Sequence, residues 1–146
     1  MDTYGLLYNW NAVMQGICPI GWHVPSDEEW KQMEISVGMS WSDANNSGYR
    51  GDIAARLSGD IGWLSSGAAN TPGNLSAAYR NSSGFSALPA GARTDPNYFG
   101  YEASFWSSTA NDSNYAWHRI LFFNLAGVQR LASAKSRGYS VRCIKD

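Results

Sequence analysis

Charge, cysteine and long apolar runs are all scarce in this chain, and each shortage excludes something. Charged residues make up 16% of the 146 positions and the net charge is −1, so the basic surface that nucleic-acid binding calls for is missing. No apolar run approaches the roughly 20 residues of a membrane span, so no membrane insertion by this domain is expected. Met1-Asp2-Thr3-Tyr4-Gly5 does not read as a signal peptide. Export would then depend on a leader already removed, on a longer parent protein or assembly, or on a phage particle. Cysteine is reduced to Cys18 and Cys143, too few and too far apart for a metal site. The pair reads as one disulfide stapling the whole domain, with two buried free thiols as the alternative. In the chain-entropy model such a bridge contributes up to roughly 4–5 kcal/mol. It persists only in an oxidising compartment, which points to an extracellular, cell-surface or virion setting.

What the chain does have is aromatic: seven Trp and eight Tyr among plentiful Gly, Ser and Asn. Its length suits a single domain, 1–146, able to bury its own core. Leu6 to Met14 reads as a short helix with Leu6, Trp10 and Val13 on one face. Trp22-His23-Val24-Pro25 reads as a brief extended segment. A second helix starts at Ser26, an N-cap with Glu29 three residues on as in a capping box. It carries Trp30, Met33 and Val37 at helical spacing and stops at Gly38. From Trp41 to Ala87 the periodicity fades into a long irregular region with one helical turn at Asp52–Leu57. The last third reads as β-structure, in short pieces at Phe85–Pro89 and Ala92–Arg93 and then strands at Phe105–Thr109, Tyr115–Phe123, Gly127–Leu131 and Tyr139–Ile144. Turns at Asn111–Asn114 and Asn124–Gly127 separate the strands. Two helices, a long loop region and a twisted antiparallel sheet make an α+β arrangement.

Five segments in order, Y-G-L-L-Y-N-W-N-A-V, C-P-I-G-W-H-V-P-S-D-E-E-W, S-G-F-S-A-L-P-A-G-A-R, F-W-S-S-T and G-Y-S-V-R-C-I-K-D, resemble the Fibrobacter succinogenes major paralogous domain. That resemblance covers nearly the whole chain. It implies a fold related to C-type lectin-like and formylglycine-generating-enzyme-like domains, and a setting in bacterial surface or secreted proteins. The front half is also similar to C-type lectin domains, where a first-helix cysteine pairs with one on the last strand; this implies Cys18–Cys143. Trp22, Trp30 and Trp106, in the stretches closest to the family, are expected to be core anchors. Fold alone does not imply function.

Catalysis finds little support. Thiol chemistry of the formylglycine-generating kind has no free nucleophile once both cysteines are bridged. His23 is expected in an ordinary packing role, His118 has no acidic neighbour in sequence, and there is no G-x-S-x-G elbow. No cofactor is expected. Calcium would have to use Asp95-Pro96-Asn97, a loose match to lectin sugar-chelating motifs, but six to eight oxygens are needed and carboxylates here are sparse.

A recognition surface remains. In Tyr115–Phe123 both alternate sets of side chains include large apolar groups, so the strand is either buried on both faces or presents one outward. Residues His118, Ile120, Phe122, Phe123, Asn124, Leu125, Gly127, Leu131, Ala132, Ser133 and Arg137 can be reached from an asparagine codon by changes at its adenines. This resembles the variable proteins of diversity-generating retroelements. With Tyr98, Phe99, Tyr101 and Trp117 they form the expected ligand-binding set. The expected function is non-enzymatic recognition of a protein or glycan on a host or target cell, as in an adhesin, a fimbrial tip or a phage fibre. The alternatives are a glycan-binding module of a polysaccharide-degrading system, with Tyr98, Tyr101 and Trp117 stacking on sugars, or a structural module of a surface lipoprotein.

Overall fold

The computed structural model describes residues 3–93 and 98–146. Four helices are present among the described residues: α1 (Trp10–Met14), α2 (Asp27–Ser36), α3 (Trp41–Asn45) and α4 (Ala54–Leu57). The strands are β1 (Trp22–His23), β2 (Gly48–Arg50), β3 (Glu102–Ala110), β4 (Tyr115–Phe122), β5 (Val128–Ala134) and β6 (Ile144–Lys145). The protein is thus a mixed α+β structure. β2-β5-β4-β3 form one antiparallel sheet, and β1 pairs antiparallel with β6 in a second, two-stranded one.

Local chemistry explains the best-defined helix. Ser26 Oγ accepts from the Glu29 amide at 3.2 Å while Glu29 Oε2 accepts from the Ser26 amide at 2.8 Å, the reciprocal capping box expected from the sequence. Gly38, just past the C-cap Val37, has φ of +115°, and a Cβ there would lie 2.6 Å from Arg56 Nη1. That guanidinium donates to the Val37 carbonyl at 2.9 Å. Glycine therefore both ends the helix and lets a cation reach its negative pole.

Several sequence expectations change. The two expected helices are joined by two more: the turn expected at Asp52–Leu57 is α4, while α3 is too short to show periodicity. β2, three residues long, likewise hid in the region taken as irregular. Only Trp10 and Val13 of the first helix face the core, while Leu6 is exposed and precedes the helix. Along α2 the fully buried residues are Asp27, Trp30 and Glu34, while Met33 and Val37, expected beside Trp30, pack half-buried against the same core. Tyr139–Ile144 is not one strand: Tyr139 and Ser140 make single bridges to Tyr8 and Phe105, and β6 begins at Ile144.

Two apolar clusters lie on opposite faces of the larger sheet. Trp30, Phe105, Leu57, Leu121 and Val128 pack beneath α2, while Trp10, Val13, Trp106, Ala116 and Tyr139 pack beneath α1. Trp30 and Trp106 are core anchors, as expected. Trp22 is not: it is 45% exposed, because β1 lies in the outer two-stranded sheet and turns its tryptophan away from the core.

The two cysteines are joined, with Cα atoms 5.8 Å apart across a sequence separation of 125. The bridge ties the loop after α1 to the segment entering β6. Non-reducing peptide mapping of exported protein is expected to recover Cys18 and Cys143 in one linked fragment; two free thiols in folded protein would overturn this. Such a bridge is consistent with a non-cytoplasmic location. No helix among the described residues is long and apolar enough to cross a membrane.

Candidate functional site

Strand alternation sorts the sheet into two faces. On one, Glu102, Ser104 and Trp106 of β3 stand opposite Phe122, Ile120 and His118 of β4. Ile120 and His118 in turn stand opposite Gln129 and Leu131 of β5. Packing under α1 covers the Trp106–His118 end of this face. Its other end is open, and there Tyr98, Glu102, Ile120, Phe122, Arg137 and the buried Tyr139 line a pocket of about 430 Å³. The structure thereby brings together four of the sequence-predicted residues: Tyr98, Ile120, Phe122 and Arg137. Sequence reasoning missed Glu102, Tyr139 and Tyr49, whose ring lies 6.2 Å from Phe122 at the outer edge. The available signal was Glu102 preceding an apolar run at the period of a strand.

Glu102 is only 8% exposed. Burial pushes its carboxyl pKa up, against the hydrogen bond from Ser104 and the charge of Arg137. The pKa of Tyr49 is raised first by burial and then by the charge of Glu102.

The opposite face holds an ion cluster that the sequence reading did not anticipate. Glu34 Oε1 accepts from Arg50 Nη2 and Arg119 Nε, each at 2.7 Å. Asp27 Oδ1 accepts from Arg119 Nη1 at 2.7 Å, and Oδ2 accepts from Arg130 Nη2 at 2.6 Å. Burial alone would raise the pKa of Asp27, but Arg130 and Arg119 outweigh it and hold it below its ordinary value. These groups lie between α2 and the sheet, sealed from solvent, and act as an internal brace.

Both histidines are committed to structure. His118 is wholly buried, stacked on Tyr139 with ring centroids 4.7 Å apart, and its Nδ1 donates to the Leu131 carbonyl at 2.9 Å. Burial is the main cause that pushes its pKa down to about 4, so it is neutral at physiological pH. His23, expected only to pack, instead bridges Asp146 at 2.6 Å and Glu29 at 2.9 Å, and both raise its pKa. Among the described residues no group of three or more His, Cys, Asp or Glu side chains could hold a metal ion. Asp95-Pro96-Asn97 lies outside the described residues.

The sequence profile of the Fibrobacter succinogenes major domain matches residues 1–145. The chain belongs to that family. No curated protein and no solved structure matches it. In this Fibrobacter succinogenes major domain the other expected ligand residues scatter. His118 is corrected to a core position. Trp117 and Ala132 pair with each other on the α2 side, and the Arg130 guanidinium lies 3.9 Å from the centre of the Trp117 ring, covering one face of that indole. Phe123 is half-buried against the core and meets Tyr101 edge-on at 5.5 Å. Phe99 packs on Tyr4, away from the pocket. Asn124 and Leu125 are exposed in the β4–β5 turn. A Cβ on Gly127 would come within 3.1 Å of the Arg50 and Gly51 carbonyl oxygens, so a larger residue there requires the β2 backbone to give by a few tenths of an ångström. Leu131 and Ser133 belong to the pocket face of β5, where Ser133 Oγ accepts from the Tyr139 hydroxyl at 3.2 Å.

Proposed function

We propose that this domain is a non-enzymatic recognition module with a C-type lectin-like fold, displayed outside the cytoplasm, whose ligand docks on the open end of the β3–β4–β5 face. The observation that carries this reading is the convergence of Tyr98, Ile120, Phe122 and Arg137 on one solvent-open pocket. Aromatic and arginine side chains around a partly desolvated hollow are the usual anchors of recognition sites. The disulfide supports display in an oxidising compartment. The terminal β1–β6 pairing, with the bridge beside it, supports the lectin-like architecture. Against catalysis stand the bridged cysteines and the engagement of both histidines in packing and ion pairing.

Binding of the purified domain to intact bacterial cells and to arrayed glycans tests the proposal. Phe122→Ala and Arg137→Ala are each expected to weaken binding by at least about tenfold, as central anchors do, while the melting temperature of Arg137→Ala stays at the wild-type value. Wild-type binding by both variants would remove the site from this pocket. Absence of any ligand for the folded domain would favour a purely structural module.

A further inference from the structure

One carboxylate sits among aromatic walls in the pocket. Ser104 Oγ donates to Glu102 Oε1 at 3.1 Å, and among the described residues it is the only hydrogen-bond donor to that side chain. Arg137 lines the rim but forms no ion pair with it among the described residues. Phe122 stands directly across from the acid in the β3–β4 pair, and Tyr98 lines the same hollow. A buried carboxylate with a neutral partner gains from a cation delivered beside it, and aromatic rings add cation–π attraction. The form of the cation follows from the acid's surroundings. A guanidinium brings five N–H donors that need acceptors, and the side chains lining the pocket offer one carboxylate and the hydroxyls of Tyr98 and Tyr139. A compact ammonium brings three.

Resting on the recognition reading above, we propose that this pocket receives a protonated primary amine, the head group of a lysine side chain on a protein ligand. The alkyl stem lies along Ile120 and Phe122, the ammonium donates to Glu102, and Arg137 at the mouth donates to a carbonyl of the ligand backbone.

Amide-resolved NMR titration with Nα-acetyl-lysine amide tests this. Saturable shifts are expected at Tyr98, Glu102 and Phe122. Nα,Nε-diacetyl-lysine amide, which keeps the stem and loses the charge, is expected to bind at least about tenfold more weakly. Glu102→Gln preserves the volume and the acceptor for Ser104, and is expected to abolish the preference between the two probes without lowering the melting temperature. Should that variant fail to fold, the two probes on the wild-type protein still decide. Equal binding of both probes at these residues overturns the amine assignment and leaves the recognition face standing. No saturable shift with either probe also overturns it, and the cell and glycan experiment then judges the recognition reading separately.

Discussion

Replacing Glu34 by alanine is expected to cost about 3–5 kcal/mol of folding stability, the loss typical when one partner of a buried ion pair is removed. The Glu34 side chain is 0% exposed, and those of Arg119 and Arg50 are 0% and 1% exposed. Without Glu34 the Arg50 guanidinium keeps only the Ala44 carbonyl, at 3.0 Å, and the Met39 sulfur, at 3.7 Å, as partners. Arg119 retains Asp27, which it shares with Arg130. Asp27 would be left as the one carboxylate among three guanidiniums, with the Lys31 ammonium 3.8 Å from its Oδ2, in a space largely closed to water. Glu28→Ala makes the contrast. Its side chain is 68% exposed and its bond to Lys31 spans 3.3 Å, so its loss is expected to change stability by no more than about 1 kcal/mol. Denaturant unfolding of both variants measures the difference. A Glu34→Ala protein within about 1 kcal/mol of wild type would show that the cluster does not brace α2 against the sheet.

Trp106→Ala is expected to cost about 3–5 kcal/mol as well, by a different route. The indole is fully buried, packs 4.6 Å from Tyr139 and 5.8 Å from His118, and donates from Nε1 to the Tyr8 carbonyl at 2.8 Å. Truncation leaves a cavity and an acceptor without its donor, and it removes one wall around the His118–Tyr139 stack. A fall in melting temperature of roughly 10 °C or more follows for a domain of this size. Trp22→Ala, on the exposed outer sheet, is expected to lower it far less. Equal melting temperatures for wild type and Trp106→Ala would contradict the core assignment.

Much of the framework was legible because its signals are local. Ser26 and Glu29 announce a helix start within a single turn, and the turn-rich Asn111–Asn114 and Asn124–Gly127 separate three strands that do form a meander. Short elements such as α3 and β2 were not legible, since five and three residues are too few to establish a repeating pattern. The ion cluster escaped for another reason. Its members come from α2, β2, β4 and β5, and nothing in the sequence neighbourhood of Arg119 or Arg130 marks them as buried.

By itself, then, the sequence determined the class of fold, the capped second helix, the succession of late strands and the single bridge open to two cysteines, all matters of near neighbours or simple count. Tertiary structure alone decided which side of β4 meets solvent. Both alternate sets of that strand contain large apolar groups, so a period of two carries no direction. α2 covers Arg119 and Leu121, α1 and the segment around Tyr139 cover His118, and the end at Ile120 and Phe122 borders the open pocket. The pocket exists because α1, five residues long, roofs only part of its face of the sheet, a consequence of packing that no local pattern encodes.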